Sequence, residues 1–599
     1  MRRRQVIAGS AAALATAQLV PPQAANEPRR SRTLRIAFNT AETSFDPPQI
    51  SDSNSFAVAA SIFESPLTYD YLARPVKLRP QTAVTLPEIS GDFTRFTFDI
   101  RPGIFFADDP AFRGRKRELV AQDYVYSVKR FYDPKLNAES IYIFENAKVL
   151  ELSELRAKAR RDKTAFDYDR QVEGIRATDR YTFQVRLGAP NPRFHHQFAT
   201  TMTGAVAREV VQAYGDDIGA HPVGTGPFKL ESWRRASRIV LTRNPSFREQ
   251  FFDAQPELDD AEAESVASEL AGERLPLLDR VEISVITEAQ PRWLAFLEGS
   301  IDLLALPNEF APIAIPNNRL APHLARSGVR LQRGLQPEMA MTYFNMDDPL
   351  VGGNAPDKVA LRRAVALAFD GDEYSRVVRN GQAIAAQSTI PPFTSGYVES
   401  YRSEMSRHSR AEAMALLDVF GYVDVNGDGW RECPDGSPLV LRLASTPNQL
   451  DRRRNEIWRK HMAGVGLRME FAYATWPDLL KKARAGGLMM WGYTWESGTP
   501  DGGFFLGIGY GPNASETNDA HFALAEFDRL FERQYNLSDG AERDAVMRQA
   551  KNLLVAYMPY KAHDHGIASD LLQPWVKGHR RHPFRRDLWR FIGVDPPLA

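Results

Sequence analysis

The sequence predicts an α/β protein of more than one domain, and three observations carry that prediction. Several short stretches alternate apolar and polar residues with the period of a half-buried strand. Between them lie segments whose apolar residues recur at helical spacing. The chain, at 599 residues, is also too long for one ordinary core, so two to four domains are expected.

The elements follow in order. Leu34-Arg35-Ile36-Ala37-Phe38 alternates and opens the folded part; Asp46-Pro47-Pro48 interrupts it. From Phe93 to Arg101, Phe96, Phe98 and Ile100 fall on one face, and Arg101-Pro102-Gly103 ends the strand. In His221 to Trp233, the run Gly224-Thr225-Gly226-Pro227 predicts a sharp turn: glycine allows positive φ and proline fixes its own φ. Phe228 to Glu231 then alternates as a strand. Val281, Ile283 and Val285 predict another. A helix from about Arg292 ends at Gly299 as its C′ residue, and Ser300 to Leu303 resumes as strand. Leu361, Val365, Ala368 and Phe369 form one apolar helical stripe, and Ser409 to Glu412 is a capping box ahead of a helix. Strands separated by helices throughout argue α/β architecture.

Composition is that of a globular protein, 43% hydrophobic and 25% charged. Its 75 basic and 75 acidic side chains cancel, so no global field draws it to nucleic acid or to an anionic membrane. The basic cluster Arg113 to Arg117 has no aromatic ladder beside it and reads as solvated surface. The single cysteine, Cys433, excludes an intrachain disulfide without fixing the compartment. The N-terminus does point to one. Arg2-Arg3-Arg4 precedes a weakly apolar run, Val6 to Leu19, with Ala13-Leu14-Ala15 and Ala15-Thr16-Ala17 as cleavage candidates. Residues 1–25 thus read as a signal peptide, too short to span a bilayer, and 26–32 as a disordered linker. Arg3-Arg4-Gln5-Val6-Ile7 resembles a twin-arginine signal; the general secretory route is the alternative. With no cysteine after the apolar run, no lipoprotein anchor is expected, and the exported protein is expected to stay in a periplasm or be secreted.

Little in the chain suggests chemistry. Asp424-Val425-Asn426-Gly427-Asp428-Gly429 matches the opening of a calcium loop, with oxygen ligands at alternate positions, a glycine sixth and Asp435 twelfth. Pro434 intrudes, no second helix follows, and Asx-Gly strings make ordinary turns, so a plain turn is expected. His563-Asp564-His565 and His195-His196 lack a further ligand cluster. No nucleophile-elbow, zincin or paired-cysteine motif occurs. The expectation is no catalytic residue, no metal and no cofactor.

The order of these segments resembles the family 5 extracellular solute-binding proteins of ABC importers, the oligopeptide- and dipeptide-binding type. The resemblance rests on HPVGTGPFKLESW with Arg243-Asn244-Pro245 after it, TFDIRPGIFFADDP followed by Ala121 to Ser127, Glu298-Gly299-Ser300-Ile301-Asp302, Tyr343-Phe344-Asn345 and VALRRAVALAFDGDEYSRVVRNGQAIAA. Against that pattern, Ala111 to Glu118 and Ile141 to Val172 are long and charged and read as surface elaborations. The resemblance implies a two-lobed, hinged Venus-flytrap fold with an extra domain. It assigns 33–70, 205–343 and 566–599 to lobe I, 71–204 to the extra domain and 344–565 to lobe II. It implies a monomer that captures a peptide and delivers it to a membrane ABC permease without catalysis.

The segment Met489 to Asp501, ending in Trp491-Gly492-Tyr493-Thr494-Trp495-Glu496-Ser497-Gly498-Thr499-Pro500-Asp501, resembles the family's ligand loop. There an acid four residues before the Pro-Asp pair holds the peptide α-ammonium. The resemblance gives that role to Glu496, facing a wet cleft in the empty protein, with Trp495, Tyr493 and Trp491 as cleft walls. Glutamate in place of the usual aspartate changes the depth of the pocket. A buried strand followed by a surface loop is the plainer reading of the same residues. Binding of an oligosaccharide, or of a metal chelate or haem, by the same fold is an alternative. An exported hydrolase without a recognisable motif is another.

Overall fold

The computed structural model describes residues 32–595, apart from Glu139 and Leu258. The signal-peptide expectation, and all of the linker but Arg32, lie outside the described residues.

One twelve-stranded mixed sheet organises the molecule. In spatial order it runs Arg468–Tyr473, Val440–Ser445, Met490–Glu496, Glu338–Phe344, Tyr560–Leu572, Leu303–Ala305, Thr33–Phe38, Arg280–Val285, Arg238–Arg243 and Phe228–Arg234. Arg330–Leu335 and Ala383–Ala385 also pair with Tyr560–Leu572. The long strand Tyr560–Leu572 is the seam. Its last residues pair antiparallel with Arg330–Leu335, and its first with Glu338–Phe344, in register Leu335↔Ile567 and Tyr343↔Tyr560. Two antiparallel segments, 330–344 and 560–572, therefore carry the chain between two halves, which gives the α/β fold its two lobes.

Separate cores confirm that division physically. Leu34, Ile36, Leu241, Ile283 and Ile592 pack in one half, and Tyr343, Leu361, Trp458, Met490 and Leu554 in the other. The alternation in Leu34 to Phe38 places Leu34, Ile36 and Phe38 inward, as the period-2 pattern requires. A third core, with Phe96, Phe98, Tyr124 and Phe183, packs on a four-stranded antiparallel sheet, Glu88–Ile89, Arg95–Asp99, Thr182–Arg186 and Ile175–Ala177. At 0–1% exposure, Phe96, Phe98 and Ile100 occupy the predicted inner face.

Three sequence expectations are corrected here. Ile141 to Val172 is not a surface elaboration: Ile141, Phe144, Leu152, Phe166 and Val172 are buried in the third core, while the helix Leu152–Asp162 turns its charges outward except for the buried Arg156. Gly224 and Gly226 are not needed for positive φ. A Cβ on either would stand 2.1 and 2.6 Å from the Ile62 carbonyl oxygen, so glycine is required for close approach to the end of the helix Ser53–Ile62. The Gly226 N–H donates to that same carbonyl at 2.8 Å. The strand expected from Ser300 begins only at Leu303, directly after Asp302, whose carboxylate is buried. It accepts from the Arg35 N–H, the Arg35 guanidinium and Trp575 Nε1.

No described helix is long and apolar enough to cross a membrane.

Candidate functional site

A cavity of about 940 Å³ lies between the lobes, at the upper end of ordinary ligand pockets. Segments from both lobes and from beside the third core line it: Asn39 to Thr43, Ile50 to Asn54 and Arg585 to Asp587 from the first lobe, Tyr142, Ile143 and Ala199 to Met202 from beside the third core, and segments between Thr446 and Asp519 from the second lobe.

The second-lobe wall is the strand Met490–Glu496, held between Glu338–Phe344 and Val440–Ser445. Its aromatic residues form a continuous ring surface. Trp491 and Tyr493 centroids lie 5.0 Å apart and Tyr493 and Trp495 6.3 Å; Trp495 stacks on Phe504 at 5.7 Å. Trp476, at the start of the helix Trp476–Arg484, joins Trp491 at 4.8 Å. Tyr493 and Trp491 are buried, yet both contribute to the cavity wall, as Trp495 and Glu496 do. The four residues singled out in the sequence thus stand on one wall of one cavity.

Glu496 stands partly exposed on the cavity wall, but it is not unpaired there. Its Oε2 accepts from Arg586 Nη2 at 2.8 Å, and its Oε1 accepts from the Ser53 hydroxyl. Ser53 opens a first-lobe helix and Arg586 belongs to the C-terminal segment, so this acid ties the second lobe to the first. Burial raises the Glu496 carboxyl, but the Arg586 charge and the Ser53 and Arg586 hydrogen bonds outweigh it and hold it below the ordinary value. A carboxylate offers about four lone-pair sites, so it can accept a further ammonium beside these partners.

Five residues on, Asp501 anchors the loop. Its carboxylate accepts from Arg543 Nη2, from Ser395 Oγ at 3.1 Å and from the Gly503 N–H at 3.0 Å, with Arg193 Nε at 3.3 Å. Arg193 comes from the third core and also donates to the carbonyls of Gln534, Tyr535 and Leu537. Burial pushes the Asp501 carboxyl up, and the two guanidiniums pull it further the other way, well below the usual carboxylate range.

Sequence reasoning missed Ser53, Arg586, Trp476, Thr517 and Asp519, all lining the cavity. Nothing local marks them: Arg586 sits in a basic run, and Ser53 and Asp519 are single polar residues.

The other polar motifs are accounted for elsewhere. His563 and His565 lie on the buried strand Tyr560–Leu572, against Thr342 Oγ1 at 2.9 Å and the Glu338 carbonyl at 2.9 Å. In the Asp424 loop, Asp424 accepts from the Gly427 and Gly429 N–H groups at 2.7 and 2.9 Å, and Asp428 from the Trp430 N–H at 2.9 Å. Glu432, rather than Asp435, comes close to Asp424 and Asp428; Asp435 instead accepts from Ser437. These are turn hydrogen bonds. Neither chelator nor added calcium is therefore expected to move the melting temperature. A calcium-dependent rise that Asp424→Ala abolishes would overturn this.

A two-lobed chain with a cavity of this size between the lobes has the form of a solute-binding protein. The model for bacterial extracellular solute-binding proteins, family 5 (middle), matches residues 77–517, and the chain belongs to that family. It is 24% identical to Di/tripeptide-binding protein 2 of Pseudomonas aeruginosa over 97% of this chain and 98% of that one. It is equally 24% identical to Heme-binding protein A of Haemophilus influenzae, over 85% of this chain and 83% of that one. The fold is that of the periplasmic binding protein DppA from Helicobacter pylori, solved in complex with the peptide STSA. The TM-score is 0.74 at 19% identity, covering 94% of this chain and 98% of that one.

Proposed function

We propose that this protein is the periplasmic receptor of an ABC importer, that it captures a short peptide in the interlobe cavity, and that it hands the peptide to a membrane permease without chemistry. The observation that carries the reading is Glu496, a carboxylate on the cavity wall at the junction of both lobes, kept ionised by Arg586 and able to accept an α-ammonium. The peptide names and the peptide complex among its relatives favour this ligand. The aromatic wall offers apolar surface for side chains of varied shape, while main-chain polar groups are held independently of sequence.

The proposed lobe boundaries remain 33–70, 205–343 and 566–599 for lobe I, 71–204 for the extra domain and 344–565 for lobe II. Closure follows from ligand touching both lobes, which shifts a hinge equilibrium at the two seam segments. Export by the N-terminal signal, by the twin-arginine or the general secretory route, and action as a monomer complete the proposal.

Native mass spectrometry of protein taken from the periplasm tests it. The expected spectrum shows one peptide-mass adduct per chain, released unaltered on denaturation. A porphyrin or sugar adduct would replace the ligand class, and turnover of an added peptide would replace the binder by a hydrolase.

A further inference from the structure

Among the acids lining the cavity, one is explained neither by the family loop nor by contacts between the lobes. Asp519 is only 3% exposed and lines the cavity. Its Oδ2 accepts from the Tyr493 hydroxyl at 2.6 Å, while its Oδ1 has no hydrogen-bond partner among the described residues. Two residues away, Thr517 also lines the cavity, 2% exposed, and its Oγ1 is likewise without a hydrogen bond. Buried polar atoms are nearly always satisfied, so an acceptor left over on a buried acid in a ligand cavity calls for a donor that the described residues do not supply.

The surroundings specify that partner. A carboxylate oxygen accepts only, so the missing group is a donor. Tyr493, which holds Asp519, belongs to a cluster of three rings with Trp491 at 5.0 Å and Trp476 at 6.2 Å, all on the cavity wall. An acid at the foot of clustered aromatic faces is the chemistry that takes a cation, by charge-assisted hydrogen bonding and by attraction to the ring quadrupoles. Burial raises the Asp519 carboxyl above its ordinary value, outweighing the Tyr493 hydrogen bond and the Arg484 and His521 charges that lower it. The acid therefore still lacks compensation that a ligand cation would provide. Of the other buried acids on the cavity, Asp587 is paired with Arg585, and Glu42 accepts the Trp233 indole and the Ala236 N–H on Oε1 while its Oε2 has no partner among the described residues, but Glu42 has no cluster of aromatic faces like that at Asp519.

We propose that Asp519, Tyr493, Trp476 and Trp491 form a second cation subsite, so that the favoured ligands are peptides carrying a basic side chain in addition to the α-ammonium. This rests on the peptide reading above, and goes beyond it by naming which peptides.

Calorimetry with tripeptides tests it. Trialanine is compared with three lysine variants, one at each position, and with the three matching norleucine variants, which keep the side-chain length and lack the charge. One lysine peptide is expected to bind about tenfold or more tighter than its norleucine partner. That preference should vanish in Asp519→Asn and persist in Tyr493→Phe, which leaves the carboxylate in place. If Asp519→Asn does not fold, the wild-type and Tyr493→Phe comparisons still decide. No lysine preference at any position, or a preference that Asp519→Asn leaves unchanged, overturns the subsite while trialanine binding upholds the peptide reading. Absence of binding by every peptide overturns both.

Discussion

Asp501→Ala is expected to lose about 3–5 kcal/mol of folding stability, the largest single effect in the site region. The alanine would leave Arg543, whose side chain is 1% exposed, and the largely buried Arg193 without their shared carboxylate. Desolvation of a guanidinium that has lost its counter-charge is what makes breaking such a group costly. Part is recovered, because Arg543 keeps Asp539 at 2.8 Å and Arg193 keeps three backbone carbonyls. Urea denaturation of the two proteins measures the difference. The pH dependence follows with a definite sign. The folded Asp501 carboxyl is depressed below its unfolded value, so its contribution is fully present above about pH 4. It is lost progressively as the pH falls below that, toward the lower folded value. Wild type should thus lose stability on acidification more steeply than Asp501→Ala. A variant within about 1 kcal/mol of wild type at neutral pH would show that the network contributes little.

The second large effect concerns ligand rather than fold. Glu496→Gln keeps shape and removes charge, and should weaken peptide binding by about 2 kcal/mol or more, roughly thirtyfold. The lower end of the range for a broken buried pair is expected, because Arg586 stands 2.8 Å from the same carboxylate and repels an incoming ammonium. For that reason Arg586→Met should bind a free-amine peptide at least as tightly as wild type. Some loss of folding stability accompanies Glu496→Gln, since Arg586 loses its carboxylate partner; a half-exposed pair of this kind contributes modestly. The Glu496 contribution, from a carboxyl held below its ordinary value, is likewise present above the unfolded value near pH 4 and lost as the pH falls through the folded one.

Local patterning carried the α/β class, because alternation in Leu34 to Phe38 and around Phe96 and Phe98 reports burial directly. It misjudged Ile141 to Val172, where a charged helix hides the apolar residues that face the third core. It located the turn at Gly224 to Pro227 but assigned the wrong cause, since close approach to Ile62 belongs to tertiary packing. The site was legible only where it is contiguous. Trp491 to Glu496 share one strand and so one wall. The partners of Glu496 are 443 and 90 residues away in sequence, and no periodicity links them to it. Asp519 escaped notice because a single aspartate has no signature until its neighbours are placed around it.

The central claim is that a peptide α-ammonium meets the Glu496 carboxylate between the lobes. Calorimetry on four combinations tests it most directly: wild type and Glu496→Gln, each with a free-amine peptide and with its N-acetylated form. Acetylation should cost wild type about as much affinity as the substitution does, and cost Glu496→Gln little, because the two changes remove opposite ends of one interaction. Fully additive losses, or undiminished binding of the free-amine peptide by Glu496→Gln, would contradict the claim.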